Sequence, residues 1–112
     1  MKCKNLLVLS LLISFNVAAL EKPAEIKIDN IFMSSLNTAT FRVVSQSANW
    51  HCDGGPRNPA WSYIHEDDPG AKTMMSGLLT AFAAGHTVQL YTIGVNSPEG
   101  KICKIVEFRI DK

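Results

Sequence analysis

The sequence predicts one small exported domain that is mainly β, contains one helix and is closed by one disulfide. Three observations support this prediction. The N-terminus has the pattern of a cleavable leader, five short apolar segments surround one helical segment, and the chain behind the leader holds one pair of cysteines.

The leader pattern occupies the first nineteen residues. Lys2 and Lys4 supply positive charge, residues 6–15 are apolar apart from serines, and small residues end at Ala19. We predict a signal peptide over 1–19, with cleavage after Ala19, and a domain over 20–112. A membrane anchor is the alternative, but the apolar run falls short of the roughly 20 residues that a spanning helix needs.

Charge argues against nucleic acid as a partner. The full chain has eleven basic and ten acidic residues, and removal of Lys2 and Lys4 leaves nine basic against the same ten acidic residues. A net charge near −1 is not typical of nucleic-acid-binding domains, which show a strongly basic patch. The same balance disfavours adsorption on anionic membranes.

Cys52 and Cys103 remain after the leader is removed. An even pair in an oxidising compartment predicts a disulfide, and closing a loop of about 50 residues stabilises a domain by roughly 4 kcal/mol. The alternative is a metal site that uses Cys52 and His51. Zinc needs four ligands in recognisable spacing, and the sequence has no second Cys–His cluster, so we expect neither a metal nor another cofactor.

Three strands are predicted before the helix. Residues 25–33 begin with a period-two alternation and residues 40–44 are β-branched and aromatic, so the two segments predict a hairpin. A long polar loop over 45–59 follows, and the third strand is 60–64. Its Trp61 and Tyr63 share a face of the strand, and the sequence leaves open whether that face belongs to the core or to a binding site.

The helix carries the clearest local signals in the chain. Asp68 is predicted as its N-cap, Pro69 as its first residue and Gly85 as its C-terminal stop. Apolar residues recur between them at steps of three and four, which predicts one buried stripe: Ala71, Met74, Met75, Leu78, Leu79 and Phe82.

Two further strands are predicted after the helix. Residues 87–93 alternate, with Val88 and Leu90 on one face, and residues 94–101 read as a turn. The last strand is 102–110, with an inward face made of Val106, Phe108 and Ile110.

The element order is β-β-β-α-β-β, which is the order of an OB-fold, a small five-stranded Greek-key barrel. In such a barrel the helix would plug one end, which would explain its single apolar stripe. The alternative is an open α+β sheet with the helix on one face.

Three segments together resemble a known group of proteins: a cysteine-containing loop before an aromatic strand, the segment MMSGLLTAFAAGHTVQLYT, and the late strand KICKIVEFRI. The combination resembles small exported proteobacterial proteins and, more remotely, the B subunits of subtilase-type and typhoid-type AB5 toxins. The resemblance covers about 26–110 and implies a signal peptide, an OB-fold, and the binding of sialylated glycans as pentamers. No glycan-contacting motif of the toxin subunits matches residue by residue, so it assigns no site.

The histidines do not predict catalysis. His65 lies beside Glu66, Asp67 and Asp68, which is compatible with a metal or an acid–base cluster, but acidic residues at a helix N-terminus also favour the helix dipole. We adopt the second interpretation and expect that the protein is not an enzyme.

A ligand site is predicted on the second and third strands and the flanking loops, where OB-folds bind ligands. Arg42 alternates outward from its apolar neighbours, and Trp50 lies on the long loop, where it can stack on a sugar ring. Short polar residues occupy the other two loops. The predicted site is Arg42, Trp50, Ser35, Asn37 and Asn96, with Ser34 and Ser97 beside them. The alternative is that they are ordinary turn residues.

These features predict a periplasmic or secreted binding module. The first hypothesis is a glycan-binding, ring-forming subunit for a polar or acidic saccharide, and oligomerisation belongs to that hypothesis. The alternative is a periplasmic module that binds another protein through a barrel edge and binds no glycan.

Overall fold

A computed structural model of the protein describes residues 24–46 and 51–112. The predicted leader and Trp50 lie outside the described residues. The elements are β1 (Ala24–Lys27), β2 (Asn30–Met33), β3 (Phe41–Ser45), β4 (Ala60–Ile64), α1 (Ala71–Ala84), β5 (Thr87–Ser97) and β6 (Gly100–Asp111). The prediction of a mainly β domain with one helix between the two halves of the sheet is confirmed.

The strands form one mixed sheet in the order β1-β5-β6-β4-β3-β2. Its neighbours are antiparallel except β4 and β6, which run parallel where Tyr63 lies opposite Lys104. The edge strands β1 and β2 are consecutive in the chain and are separated only by Ile28 and Asp29. Because such a connection spans at most about 11 Å, the sheet must curl until its two edges come near each other.

The prediction of a closed, five-stranded barrel is corrected in two respects. Within the described ranges the sheet has six strands, and its hydrogen-bonded order is open, since β1 and β2 do not pair with each other. The predicted first strand over 25–33 divides at Ile28 and Asp29, so that its first half pairs with β5 and its second half with β3. The Asp29 N–H donates to the Val44 carbonyl (2.9 Å), which fixes the chain at this division.

The β5–β6 hairpin is longer than predicted. Most of the expected turn over 94–101 is strand, and only Pro98 and Glu99 connect Ser97 to its partner Gly100. The Ser97 hydroxyl accepts the Glu99 N–H (3.2 Å), and Gly100 has a φ of 109°, which favours glycine.

A bulge in this hairpin changes which side chains face inward. The register passes from Tyr91 opposite Glu107 to Thr92 opposite Ile105, so Val106 has no partner on β5. Val106 was predicted to face inward but is 38% exposed. Ile110 does face inward, opposite buried Val88 and beside Gly77 of α1, although it is also 38% exposed. Phe108 packs against the core as predicted, and the alternation that buries Val88 and Leu90 is confirmed.

The predicted helix C-terminus is confirmed, whereas the predicted N-cap is wrong. Gly85 is left-handed, its N–H donates to the Phe82 carbonyl (3.2 Å), and the His86 N–H reaches back to the Ala81 carbonyl (3.0 Å), which is a Schellman ending. At the other end Gly70 is the cap residue and makes no side-chain cap bond. The Asp68 carboxylate instead pairs with Lys104 Nζ at 2.8 Å, because the parallel strand β6 brings that ammonium group beside it.

The main core lies between the inner face of the sheet and α1. Its buried members are Ile26, Ile28, Phe41, Val43, Ile64, Ala71, Leu78, Ala81, Val88, Leu90 and Ile105. The predicted helix stripe is only partly correct, since Leu79 is 43% and Phe82 is 40% exposed. Leu79 lies about 100° around the helix from buried Leu78, and in the last turn the small side chain of Ala81 is fully buried instead of Phe82.

Candidate functional site

A cationic side chain lies between two aromatic rings on the outer face of β2, β3 and β4. Phe32 on β2 is directly opposite Arg42 on β3, and Trp61 lies on the next strand. The Arg42 Cζ atom is 5.1 Å from the Phe32 ring centroid and 4.7 Å from the Trp61 ring centroid. Each cation–π contact at such a partly exposed position contributes about 0.5–1 kcal/mol.

The loop between β2 and β3 fixes the guanidinium group of Arg42. Its Nε donates to the Ala39 carbonyl (2.9 Å), and its Nη2 donates to Asn37 Oδ1 (3.1 Å). The same Asn37 oxygen accepts the Ala39 N–H (3.0 Å), so one amide oxygen bonds both to the loop backbone and to the guanidinium group. Two rings and two acceptors therefore hold the cation in one position.

Arg42 keeps donor capacity for a ligand. A guanidinium has five N–H groups, and the other three of Arg42 bond to no described residue. The ion pairs among the described residues are Asp68 with Lys104 and Arg109 with Asp111, so no carboxylate in this part of the chain neutralises Arg42. The indole N–H of Trp61 likewise donates to no described residue.

Two cavities adjoin this face. The first, here called the turn cavity, has a volume of about 110 Å³; it is lined by Asn37, Thr38, Ala39, Arg42, Trp61, Ser97, Pro98, Glu99 and Ile102. The second, the strand cavity, has a volume of about 290 Å³; it is lined by Asn30, Phe32, Arg42, Val44, Pro59 and Trp61. Arg42 and Trp61 belong to both.

A second, smaller hydrophobic cluster packs beside the turn cavity. Ala39, Tyr63 and Ile102 are buried in it, and Trp61 and Val95 pack against it. Burial raises the pKa of Tyr63, and the negative charge of Asp68 raises it further. Trp61 and Tyr63 share the outer face, but only Tyr63 is buried there, at 2% exposure, whereas Trp61 is half-buried and reaches the cavities.

The structure brings together part of the predicted site. Arg42 and Asn37 are hydrogen-bonded to each other and both line the turn cavity. Asn96 is exposed and lines neither cavity, although the neighbouring Ser97 lines the turn cavity. Ser35 lines a separate groove together with Ser34, Met33, Thr40, Phe41, Glu66 and Met75. Phe32, which lines the strand cavity, and Glu99, which lines the turn cavity, were not among the predicted site residues.

The loop after β3 is closed by the predicted disulfide. Cys52 and Cys103 are bonded, with Cα atoms 5.6 Å apart, and both are buried. Gly55 lies so close that a Cβ there would be 2.1 Å from Cys103 Sγ. The disulfide therefore joins the loop to β6, and the loop also carries His51 into the interior.

His51 and Ser62 form a buried polar pair. His51 Nδ1 lies 2.6 Å from Ser62 Oγ, and the His51 carbonyl accepts the Thr92 hydroxyl. Burial lowers the pKa of His51 to about 4, and its Nε2 has no partner among the described residues. With exposures of 2% and 0%, the two side chains are shielded from any substrate in solution, so the pair fits a structural role better than nucleophilic catalysis.

Across 24–46 and 51–112, no group of three or more His, Cys, Asp or Glu side chains is placed to hold a metal ion. No helix in the same ranges is long and apolar enough to span a bilayer.

Comparisons of the chain with protein-family models, with curated proteins and with solved structures found no match. The geometry of the outer face is therefore the basis for any statement about function.

Proposed function

We propose that the protein is an exported binding module that holds a polar saccharide on the outer face of β2, β3 and β4. The observation that carries the proposal is the fixed, unneutralised guanidinium group of Arg42 between Phe32 and Trp61. Sugar hydroxyl groups accept hydrogen bonds from such a cation, and the apolar face of a pyranose ring stacks on an indole. Aromatic walls with a few fixed polar groups are the usual composition of a small-molecule site.

The proposal includes an OB-fold-like barrel. If β1 and β2 are the two halves of one bent strand, the strand order and the parallel β4–β6 pair agree with that fold. OB-folds bind oligosaccharides on the face of their second and third strands and on the two adjoining loops. In this chain those elements are β3, β4, the β2–β3 loop and the β5–β6 turn, and together they line the turn cavity.

Export is supported by the disulfide and by the leader pattern in the sequence. The mass of the intact protein recovered from the periplasm or medium tests it. A mass that begins at Leu20 supports cleavage after Ala19, and the mass of the uncut chain would refute it. Native mass spectrometry of the same sample tests whether the subunits form rings.

Binding is tested on an array of glycans with Arg42→Gln and the wild-type protein. Hydrogen bonds to a charged donor contribute about 1.5–3 kcal/mol, so we expect the variant to bind at least about tenfold more weakly. Arg109→Gln is the matched control, because Arg109 is an exposed arginine on β6 that lines neither cavity. Trp50→Ala tests the predicted contribution of the long loop.

The melting temperature of each variant is measured first, so that unfolding is not mistaken for lost binding. Loss of binding in Arg42→Gln but not in Arg109→Gln supports the proposal. The proposal is refuted if the wild-type protein binds no glycan, or if Arg42→Gln binds glycans as tightly as Arg109→Gln does.

One observation favours a protein partner as the second candidate. Exposed apolar side chains lie around the groove between the β2–β3 loop and α1, with Met33 at 64% and Leu36 at 91% exposure. Leu79 and Phe82 extend apolar exposure along α1. A periplasmic interaction module without glycan binding would use this surface, and substitution of Leu36 by Ser would then weaken binding where Arg42→Gln does not.

A further inference from the structure

We propose that the site is bipartite and holds a ligand of at least two consecutive sugar units that crosses the Arg42–Trp61 pair. One unit occupies the turn cavity and the next occupies the strand cavity. This inference rests on the proposed saccharide binding and adds the length of the ligand and the residue that selects one of its units.

The two cavities lie on opposite sides of Arg42 along β3. The turn cavity is lined by Ala39, which precedes Arg42 in the chain, and the strand cavity by Val44, which follows it. Trp61 is opposite Val44 in the sheet and lines both cavities. The stacked cation and indole thus form a shared wall, and a ligand that contacts them both can extend in either direction.

Volume also favours two units. Sites that enclose a whole small-molecule ligand usually have volumes of about 300–1,000 Å³. The turn cavity, at about 110 Å³, falls below that range and the strand cavity, at about 290 Å³, lies at its lower limit, whereas the two together fall well within it. A monosaccharide would use only part of the available surface.

The two cavities differ in charge. In the turn cavity Glu99 accompanies Arg42, so a carboxylated unit would meet a like charge there. Among the described residues that line the strand cavity, Arg42 is the only charged one, and Phe32, Val44 and Pro59 supply apolar surface. The turn cavity therefore selects a neutral, hydroxyl-rich unit, and Glu99 is the residue that excludes an acidic one.

The experiment measures affinity against ligand length. The probes are monosaccharides and their defined di- and trisaccharides, in neutral and carboxylated forms. Wild-type protein should bind the best disaccharide at least about tenfold more tightly than either of its units, a gain of about 1.4 kcal/mol. Asn30→Trp places a bulky ring at an exposed position of the strand cavity and should remove that gain while monosaccharide binding in the turn cavity persists.

Glu99→Gln tests the selection by charge. Relative to wild type, this variant should raise the affinity for glycans with a carboxylated unit at the turn cavity more than it changes the affinity for neutral glycans. Glu107→Gln is the matched control, because Glu107 is an exposed carboxylate on β6 that lines neither cavity.

The outcomes separate this inference from the function on which it rests. If no glycan of any length binds, the proposed function fails and the bipartite site fails with it. If glycans bind but disaccharides gain nothing over monosaccharides, or Asn30→Trp leaves the gain intact, only the bipartite site is overturned. If Glu99→Gln and Glu107→Gln behave alike, Glu99 does not select the unit.

Discussion

Acidification should destabilise the protein through His51. The ring is 2% exposed, and burial lowers its pKa from an ordinary 6.5 to about 4. In the unfolded chain the same ring takes up a proton near pH 6.5. Between those two values the unfolded state binds more protons than the folded state, so the free energy of unfolding decreases as the pH falls.

The size of this effect follows from the difference between the two pKa values. Each pKa unit corresponds to about 1.4 kcal/mol, so the gap between 6.5 and about 4 corresponds to about 3 kcal/mol. The contribution is fully present above pH 6.5 and is lost by about pH 4. For a small domain with a total stability of about 5–15 kcal/mol, that loss is large enough to measure.

Urea unfolding at several pH values between 7.5 and 4 measures this loss of stability, with wild type compared against His51→Asn. The asparagine amide can still bond to Ser62, whose hydroxyl lies 2.6 Å from the histidine nitrogen, but it cannot titrate. The carboxylates are the same in both proteins, so their contribution to the pH dependence cancels when the two free energies of unfolding are subtracted. The stability of wild type relative to the variant should therefore fall by about 3 kcal/mol over this range.

His86→Asn is the control for the loss of a histidine elsewhere, because His86 lies at a half-buried position after the helix. Its free energy of unfolding should decrease with falling pH as much as that of wild type does. Parallel curves for wild type and His51→Asn across the whole range would refute the reasoning, since His51 would then titrate alike in the folded and unfolded states.

Two further predictions concern packing. Gly55→Ala should prevent the disulfide, because its Cβ would lie 2.1 Å from Cys103 Sγ, and thiol alkylation of the unreduced protein should detect free cysteines. Gly94→Ala is the control, since the atoms nearest to its Cβ would be methylene carbons of the flexible Lys101 side chain. A disulfide that forms in both variants contradicts this prediction. Leu78→Ala should lower the free energy of unfolding by about 2–5 kcal/mol. Phe82→Ala should lower it by less, because Leu78 is fully buried and Phe82 is 40% exposed. An equal or larger decrease in Phe82→Ala, measured by urea unfolding, would contradict this prediction.

Features that depend on a few neighbouring residues could be predicted from the sequence. The Schellman ending at Gly85, the alternation of Val88 and Leu90 and the pairing of the cysteines all follow from local pattern or from counting. The N-cap could not be predicted this way. Asp68 has a good side chain for a cap, but its carboxylate is paired with Lys104, which lies far away in the sequence and close only in the folded sheet.

Arg42 was found because it is a polar residue between apolar neighbours on a predicted strand. Phe32 was missed because the alternation that begins at Ile26 assigns no face to the second half of the predicted first strand. Ile26 and Ile28 face the core, yet after the division at Asp29 it is Ile31 that packs against the core, so Phe32 faces outward at 49% exposure. A shift of one residue moves every following side chain to the other face, and only the pairing of β2 with β3 shows that the shift has occurred.

In the proposed site, fixation of Arg42 before any ligand arrives would favour binding. A free arginine side chain carries about 2 kcal/mol of rotamer entropy, and a ligand that had to order it would bind correspondingly more weakly. Here the two hydrogen bonds from the β2–β3 loop and the two aromatic rings already restrict the guanidinium group. The buried cluster around Tyr63 supports Trp61 in turn. Tyr63 and Val95 line neither cavity, so in the proposed site they would act on affinity only through the order that they impose on Trp61.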